Sequence, residues 1–136
     1  MRKNIIVLMS TLCVLTIIVS CSGPQKSTEE ESALNSLTLI QDSLESNITY
    51  DNFVGLLNEA KMEVDRLKQM NQSGENNRCF VSAVDKCYAS YEIARKAWKK
   101  RDEEKDVKRK EDMDMTLSFS LSFSALNIEK ANKCYQ

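Results

Sequence analysis

The sequence predicts an all-α protein, a small antiparallel bundle of three to four helices behind a flexible tether. Two observations predict this class. Apolar residues recur at helical spacing through most of the chain after residue 32, and the 136 residues include only three glycines and one proline. Proteins rich in strands or loops use more of both residues, so their scarcity favours helices.

The composition argues against several classes of function. The 19 basic and 20 acidic side chains nearly cancel, so we expect no nucleic-acid partner. Histidine is absent, which removes the commonest metal ligand and the usual general base near neutral pH. The sequence shows no glycine-rich phosphate loop, nucleophile elbow or paired-carboxylate motif. We therefore expect no enzyme activity, no metal and no cofactor.

The amino-terminal segment has the arrangement of a secretory signal. Arg2 and Lys3 precede an uncharged apolar run from Ile5 to Val19, and the small residue Ser20 follows it. The run is slightly shorter than the 18 or so residues expected of a spanning helix. We interpret residues 1–20 as a signal peptide that is removed.

The four residues Ile18, Val19, Ser20 and Cys21 resemble the lipobox of bacterial lipoproteins, in which an aliphatic residue at −3 and a small residue at −1 precede a cysteine. The resemblance implies that Cys21 carries diacylglycerol, that cleavage occurs just before it, and that its amine is acylated. Two or three acyl chains hold a protein firmly to a membrane. The alternatives are an uncleaved membrane anchor and an ordinary signal peptide with Cys21 in a disulfide.

The same resemblance predicts a location. The domain would lie on the bacterial envelope, anchored by membrane lipid and facing the periplasm. Ser22, in place of an aspartate after the cysteine, resembles lipoproteins sorted to the outer membrane.

The remaining chain divides into a tether and a helical domain. We assign residues 21–31 to the lipidated cysteine and a polar tether, and residues 32–136 to the domain. Helical spacing predicts a first helix over residues 32–48 and a second over 49–70, with Thr49 or Asp51 as its cap. A third helix begins near Asn77 and places on one face Phe80, Val84, Cys87, Tyr91, Ala94 and Trp98.

A charged segment follows at residues 99–112, with seven basic and six acidic side chains. We considered an arm that meets a partner, but a solvated helix end or turn explains the segment more simply. Several opposite charges lie four residues apart, as in exposed helices.

The last segment gives conflicting signals. Residues 116–124 alternate apolar residues with serines, as strands do. A lone strand would leave its backbone groups unpaired, so we favour a helix. This helix would be packed on two sides, one side holding Leu117, Leu121, Ile128 and Tyr135 and the other Phe119, Phe123 and Leu126.

If Cys13 leaves with the signal and Cys21 is lipidated, three cysteines remain. Cys79 and Cys87 lie about 12 Å apart along one helix, too far for a disulfide, so a bridge would use Cys134. A hairpin turn near residues 106–111 would bring Cys134 back to either one. We favour Cys79 as its partner, with Cys87 as the alternative, because Cys87 lies on the apolar face and suits a buried position.

The third helix carries Tyr88, Tyr91 and Trp98 on neighbouring positions. They are candidates for a ligand or partner surface, although core packing explains them more simply. The leading hypothesis is a non-catalytic lipoprotein whose helical domain binds another envelope protein. The alternative is a small-ligand carrier or sensor with an apolar cavity lined by Trp98, the tyrosines and the late phenylalanines.

Overall fold

The computed structural model describes residues 25–71 and 77–136, and these fold into four α-helices without a strand in either range. The predicted signal peptide and Cys21 lie outside the described residues. The helices are α1 (Thr28–Glu45), α2 (Tyr50–Asn71), α3 (Arg78–Glu103) and α4 (Val107–Lys133). Short links place consecutive helices antiparallel. The all-α bundle predicted from the sequence is confirmed, and residues 116–124 are helical.

The first helix begins earlier than the sequence analysis predicted. The hydroxyl of Ser27 accepts the backbone N–H of Glu30 at 3.2 Å, and a carboxylate oxygen of Glu30 accepts the backbone N–H of Ser27 at 2.8 Å. This capping box satisfies two N–H groups at the helix start. Residues 28–31, assigned above to the tether, are therefore the first turn of α1.

The core lies between α1, α2 and α3. Most of the predicted apolar faces of these three helices are buried, with Trp98 only partly so, and Phe53 near the start of α2 is fully buried. The Phe53 ring stacks on Trp98 with a centroid distance of 5.6 Å and meets Tyr91 edge-on at 6.2 Å. The other large, fully buried side chains are Leu37, Ile40, Leu57, Leu67 and Phe80.

The contact between α3 and α4 is built from small side chains. On α3 they are Ala83, Ser90, Ala94 and Ala97. The same side of α3 carries Cys79, which forms the disulfide with Cys134, and Arg101, which forms an ion pair with Asp114 of α4. The buried positions of α4 are Ser120, Ser124, Asn127, Ile128 and Ala131. The hydroxyl of Ser124 donates to the carbonyl of Ser120 at 2.9 Å, so its burial leaves no unpaired donor. Small residues on both sides let the two helices approach closely.

The prediction that α4 is packed on two sides is wrong. Leu117 and Leu121 pack against the core, whereas Phe119, Phe123 and Leu126 are exposed. The physical reason is that α4 packs along α3 and touches α1 over a short stretch, with no contact to α2. No described element covers the opposite side.

The α3–α4 turn occupies residues 104–106, slightly before the predicted position. The Glu104 carboxylate accepts the backbone N–H groups of Lys105 and Asp106 at 2.9 and 3.0 Å, and these bonds lower its pKa. The Asp106 carboxylate then caps α4 by accepting the N–H of Arg109 at 3.0 Å. Because the backbone is not helical at residues 104–106, opposite charges four residues apart across this turn do not form ion pairs.

Replacing Ser124 with leucine should destabilise the bundle by about 1–3 kcal/mol, because the larger side chain cannot fit between α3 and α4. Urea unfolding followed by Trp98 fluorescence measures this loss. The control is Ser118→Leu, an exposed serine on the same helix. Equal stability of the two variants would contradict the close-packed contact.

Candidate functional site

An exposed apolar surface runs along α4. It consists of Met115, Phe119, Phe123 and Leu126, which we call the outer stripe. Their exposed fractions are 71%, 72%, 42% and 60%. The rings of Phe119 and Phe123 lie 6.4 Å apart and nearly parallel, with an interplanar angle of 9°. From typical side-chain areas, the four residues expose roughly 450 Å² of side-chain surface.

Charged residues flank the outer stripe at both ends. Glu111 and Asp112 lie on its amino-terminal side, and Lys130 and Lys133 lie on its carboxyl-terminal side. Lys133 forms an ion pair with Glu129, which lowers the pKa of that carboxyl group. Each end also carries the opposite charge, because Lys108 precedes Asp112 and Glu129 precedes Lys133 on the same side of α4, so the stripe is an apolar centre between two charged ends.

The three aromatic residues predicted as a possible ligand surface are used in packing. Tyr91 is 1% exposed, its hydroxyl donates to the Leu37 carbonyl at 3.4 Å, and burial raises its pKa far above the usual range. The Tyr88 hydroxyl donates to Glu92 at 2.9 Å. Its partial burial, followed by that hydrogen bond, raises its pKa to about 12. Trp98 contacts Phe53 and Tyr50.

The structure contains the Cys79–Cys134 disulfide, the favoured one of the two pairings left open by the sequence. The Cα atoms of the two cysteines are 5.8 Å apart. Cys87 is free and buried, and its burial raises the pKa of the thiol to about 12. A buried, protonated thiol is a poor nucleophile, so Cys87 acts as a small core residue.

Three helix ends meet beside the disulfide, and Asn77 joins them. Its backbone N–H donates to the Glu30 carboxylate of α1 at 3.3 Å, and its side-chain amide donates to the Cys134 carbonyl at 2.9 Å. Its side-chain oxygen accepts the N–H of Cys79 at 2.9 Å and caps α3. We call this end of the bundle the closing end.

The chain enters the domain at the closing end. The Lys26 ammonium donates to Asn132 of α4 at 2.9 Å and lies within 6 Å of the Phe80 and Tyr135 ring centroids. Those two rings meet edge-on at 5.4 Å. Burial, with the Glu30 carboxylate next, raises the pKa of Tyr135. The segment before α1 is therefore fastened to the end of α4.

Open surface depressions occur among the described residues, and Tyr88, Tyr91 and Trp98 line none of the four best defined. One, of about 690 Å³, lies between Gln41 of α1 and Leu126 of α4. Another, of about 300 Å³, lies between Ile93 of α3 and Met113 of α4. No group of three or more acidic or cysteine side chains that could hold a metal occurs in residues 25–71 and 77–136.

Searches against protein families, curated proteins and solved structures find no match to this chain. None of the helices in the described part of the chain is long and apolar enough to cross a membrane.

Removing the disulfide by Cys79→Ala with Cys134→Ala should lower the free energy of unfolding by about 3–4 kcal/mol, because the bridge closes a loop of 55 residues. Urea unfolding measures the change. A reductant should lower wild-type stability by a similar amount and leave the double variant unchanged. A reductant effect of equal size in both proteins would rule out this bridge as its cause.

Proposed function

We propose that this protein is a lipid-anchored, non-catalytic component of the bacterial envelope, and that its helical domain binds another envelope protein through the outer stripe of α4. The exposed stripe is the observation that carries the proposal. Acyl chains on Cys21 hold the domain at the membrane, with its helices facing the periplasm. Because Ser22 follows Cys21, we favour the outer membrane as the location.

The size and composition of the stripe support a protein-binding role. Isolated exposed apolar residues are common on protein surfaces, but contiguous patches of about 300–600 Å² are often functional. The stripe reaches this size and includes two phenylalanines, an aromatic type that interfaces favour. Met62 on α2 is equally exposed at 63%, yet it has no comparable apolar neighbour on its helix face.

The other candidate groups are already engaged in folding. Tyr91 and Trp98 fill the core, and Cys79 and Cys134 bond to each other. The outer stripe, by contrast, lies on the side of α4 away from the core, and its side chains remain 42–72% exposed. This contrast favours a binding surface on α4 over a ligand cavity within the helices.

The geometry of the closing end supports an anchored domain. Five residues lie between Cys21 and Ser27, the cap of α1. Such a segment spans at most about 20 Å, much less than a ten-residue tether would. Lipid on Cys21 would therefore keep the closing end close to the membrane surface.

The anchor is tested by metabolic labelling with palmitate. Wild-type protein should incorporate the label, and Cys21→Ala should lose it because the acylated thiol is gone. Cys87→Ala is the control, since that thiol is buried and should not be acylated. Label retained in Cys21→Ala would overturn the lipoprotein assignment.

The binding surface is tested with a photo-reactive amino acid placed at Phe123 in the full-length protein in intact envelopes. Irradiation should yield covalent adducts with protein, because the stripe is buried against a partner. The same probe at Met62, an exposed position away from the stripe, is the control. If Phe123 yields no more protein adduct than Met62, the outer stripe is not the binding surface.

A further inference from the structure

We infer that the protein bound to the outer stripe is a second copy of this chain, with the two α4 helices packed antiparallel. This inference rests on the proposed function, because it identifies the partner of the same surface. It follows from the residue spacing and the charges along α4.

The outer side of α4 carries a coiled-coil seam. Positions three and four residues apart alternate along it, as a heptad pattern requires. The seam contains, in order, Asp112, Met115, Phe119, Ser122, Leu126, Glu129 and Lys133. It runs for 22 of the 27 residues of α4, or about 32 Å. The apolar residues lie in the middle, where a partner excludes water best.

The charges select the antiparallel orientation. A parallel pair would place Asp112 against the same residue of the partner and Lys133 against the same lysine, and both contacts repel. An antiparallel pair places Asp112 opposite the partner's Lys133. By the two-fold symmetry of such a dimer, this attractive contact occurs twice.

The same register also matches side-chain sizes. When Asp112 lies opposite the partner's Lys133, Phe119 lies opposite the partner's Leu126, because seven residues forward on one helix correspond to seven residues backward on the other. Ser122 then lies opposite the partner's Phe123, so a small side chain faces a large ring. Met115 lies opposite the partner's Lys130 and beside its Glu129, at the edge of the contact. One register thus pairs Asp112 with Lys133 and places Phe119 against Leu126.

The area predicts a weak dimer. Two outer stripes together offer roughly 900 Å² of side-chain surface, somewhat below the 1,200 Å² or so of the smaller stable interfaces. The neighbouring charged residues add to this area. Confinement of both copies to one membrane raises their effective concentration, which allows a weak contact to form.

The charge pattern disfavours a membrane surface as the occupant. Helices that lie in a membrane interface carry lysine and arginine on the polar side of the apolar face. Here Asp112 and Glu129 lie on the seam together with Lys133, and Lys108 precedes Asp112 on the same side. The face therefore lacks the excess of basic side chains that binds anionic lipid headgroups.

Thiol crosslinking of the full-length protein in intact envelopes tests the inference. The native thiols leave the background low, since Cys79 and Cys134 are bonded, Cys87 is buried and Cys21 carries the anchor. With a short thiol crosslinker, Ser122→Cys should give a covalent dimer. Met62→Cys on α2 is the exposed control.

The orientation is read from two further variants, Asp112→Cys and Lys133→Cys. Expressed alone, neither should crosslink to itself. Co-expressed with different tags, they should crosslink to each other. Self-crosslinking of either variant at the level of Ser122→Cys would show a parallel pair and overturn the inference.

Substitutions in the Ser122→Cys background test the contacts. Phe119→Asp should reduce the dimer about tenfold or more, whereas Met62→Asp should leave it unchanged. Asp112→Lys should reduce it about fivefold through repulsion at both charged contacts. Adding Lys133→Asp to Asp112→Lys should restore the dimer. Failure of the double variant to recover would contradict the paired charges.

The proposed function is read separately in the same cells. Photo-adducts from Phe123 that contain only a different protein would overturn the second copy as partner and leave the binding surface in place. Adducts with lipid and none with protein would overturn both. Palmitate incorporation reports the anchor independently of either result.

Discussion

The fold depends on the junction that Asn77 makes at the closing end. The side chain of Asn77 caps α3 and donates to the carbonyl of Cys134, the residue that follows α4. The backbone N–H of Asn77 donates to the carboxylate of Glu30 in the first turn of α1. Without Asn77, the Cys79 N–H and the Cys134 carbonyl would lose these partners at the helix ends. The adjacent disulfide fixes the same two helices covalently. Three of the four helices therefore take their relative register from this one position.

Much of this arrangement could be predicted from the sequence, because it follows local rules. The spacing of Phe80, Val84 and Tyr91 predicted the buried face of α3, and Thr49 predicted the start of α2, where its hydroxyl accepts the N–H of Asn52 at 3.3 Å. Helix geometry separated Cys79 from Cys87 and made Cys134 the expected partner. The start of α1 was missed although Ser27 and Glu30 form a recognisable capping box, because the acidic run that includes Glu30 was interpreted as tether.

The outer stripe could not be predicted, because its exposure is decided by packing between distant helices. The sequence shows phenylalanine on one side of α4 and serine on another, and hydrophobicity alone would bury the phenylalanines. Ser120 and Ser124 are buried instead, since the facing side of α3 carries Ala83, Ser90, Ala94 and Ala97 between Cys79 and Arg101 and admits a close helix. This arrangement lets the backbones of α3 and α4 lie close together along their length, and it allows the Cys79–Cys134 disulfide to form. Phe119 and Phe123 are left outside, and their exposure is what makes α4 a candidate interface.

In the proposed dimer, the orientation at the membrane would follow from the proposed lipid anchors and the charges together. An antiparallel α4 pair places the two closing ends at opposite ends of a dimer about 40 Å long. A lipid on Cys21 would lie within about 20 Å of its own closing end, so both proposed anchors would enter one membrane only with the paired helices along its surface. An upright pair would suit the anchors in parallel orientation but would oppose Asp112 to Asp112 and Lys133 to Lys133. The two proposals together therefore predict a dimer whose two-fold axis points along the membrane normal and whose α4 helices lie flat on the membrane.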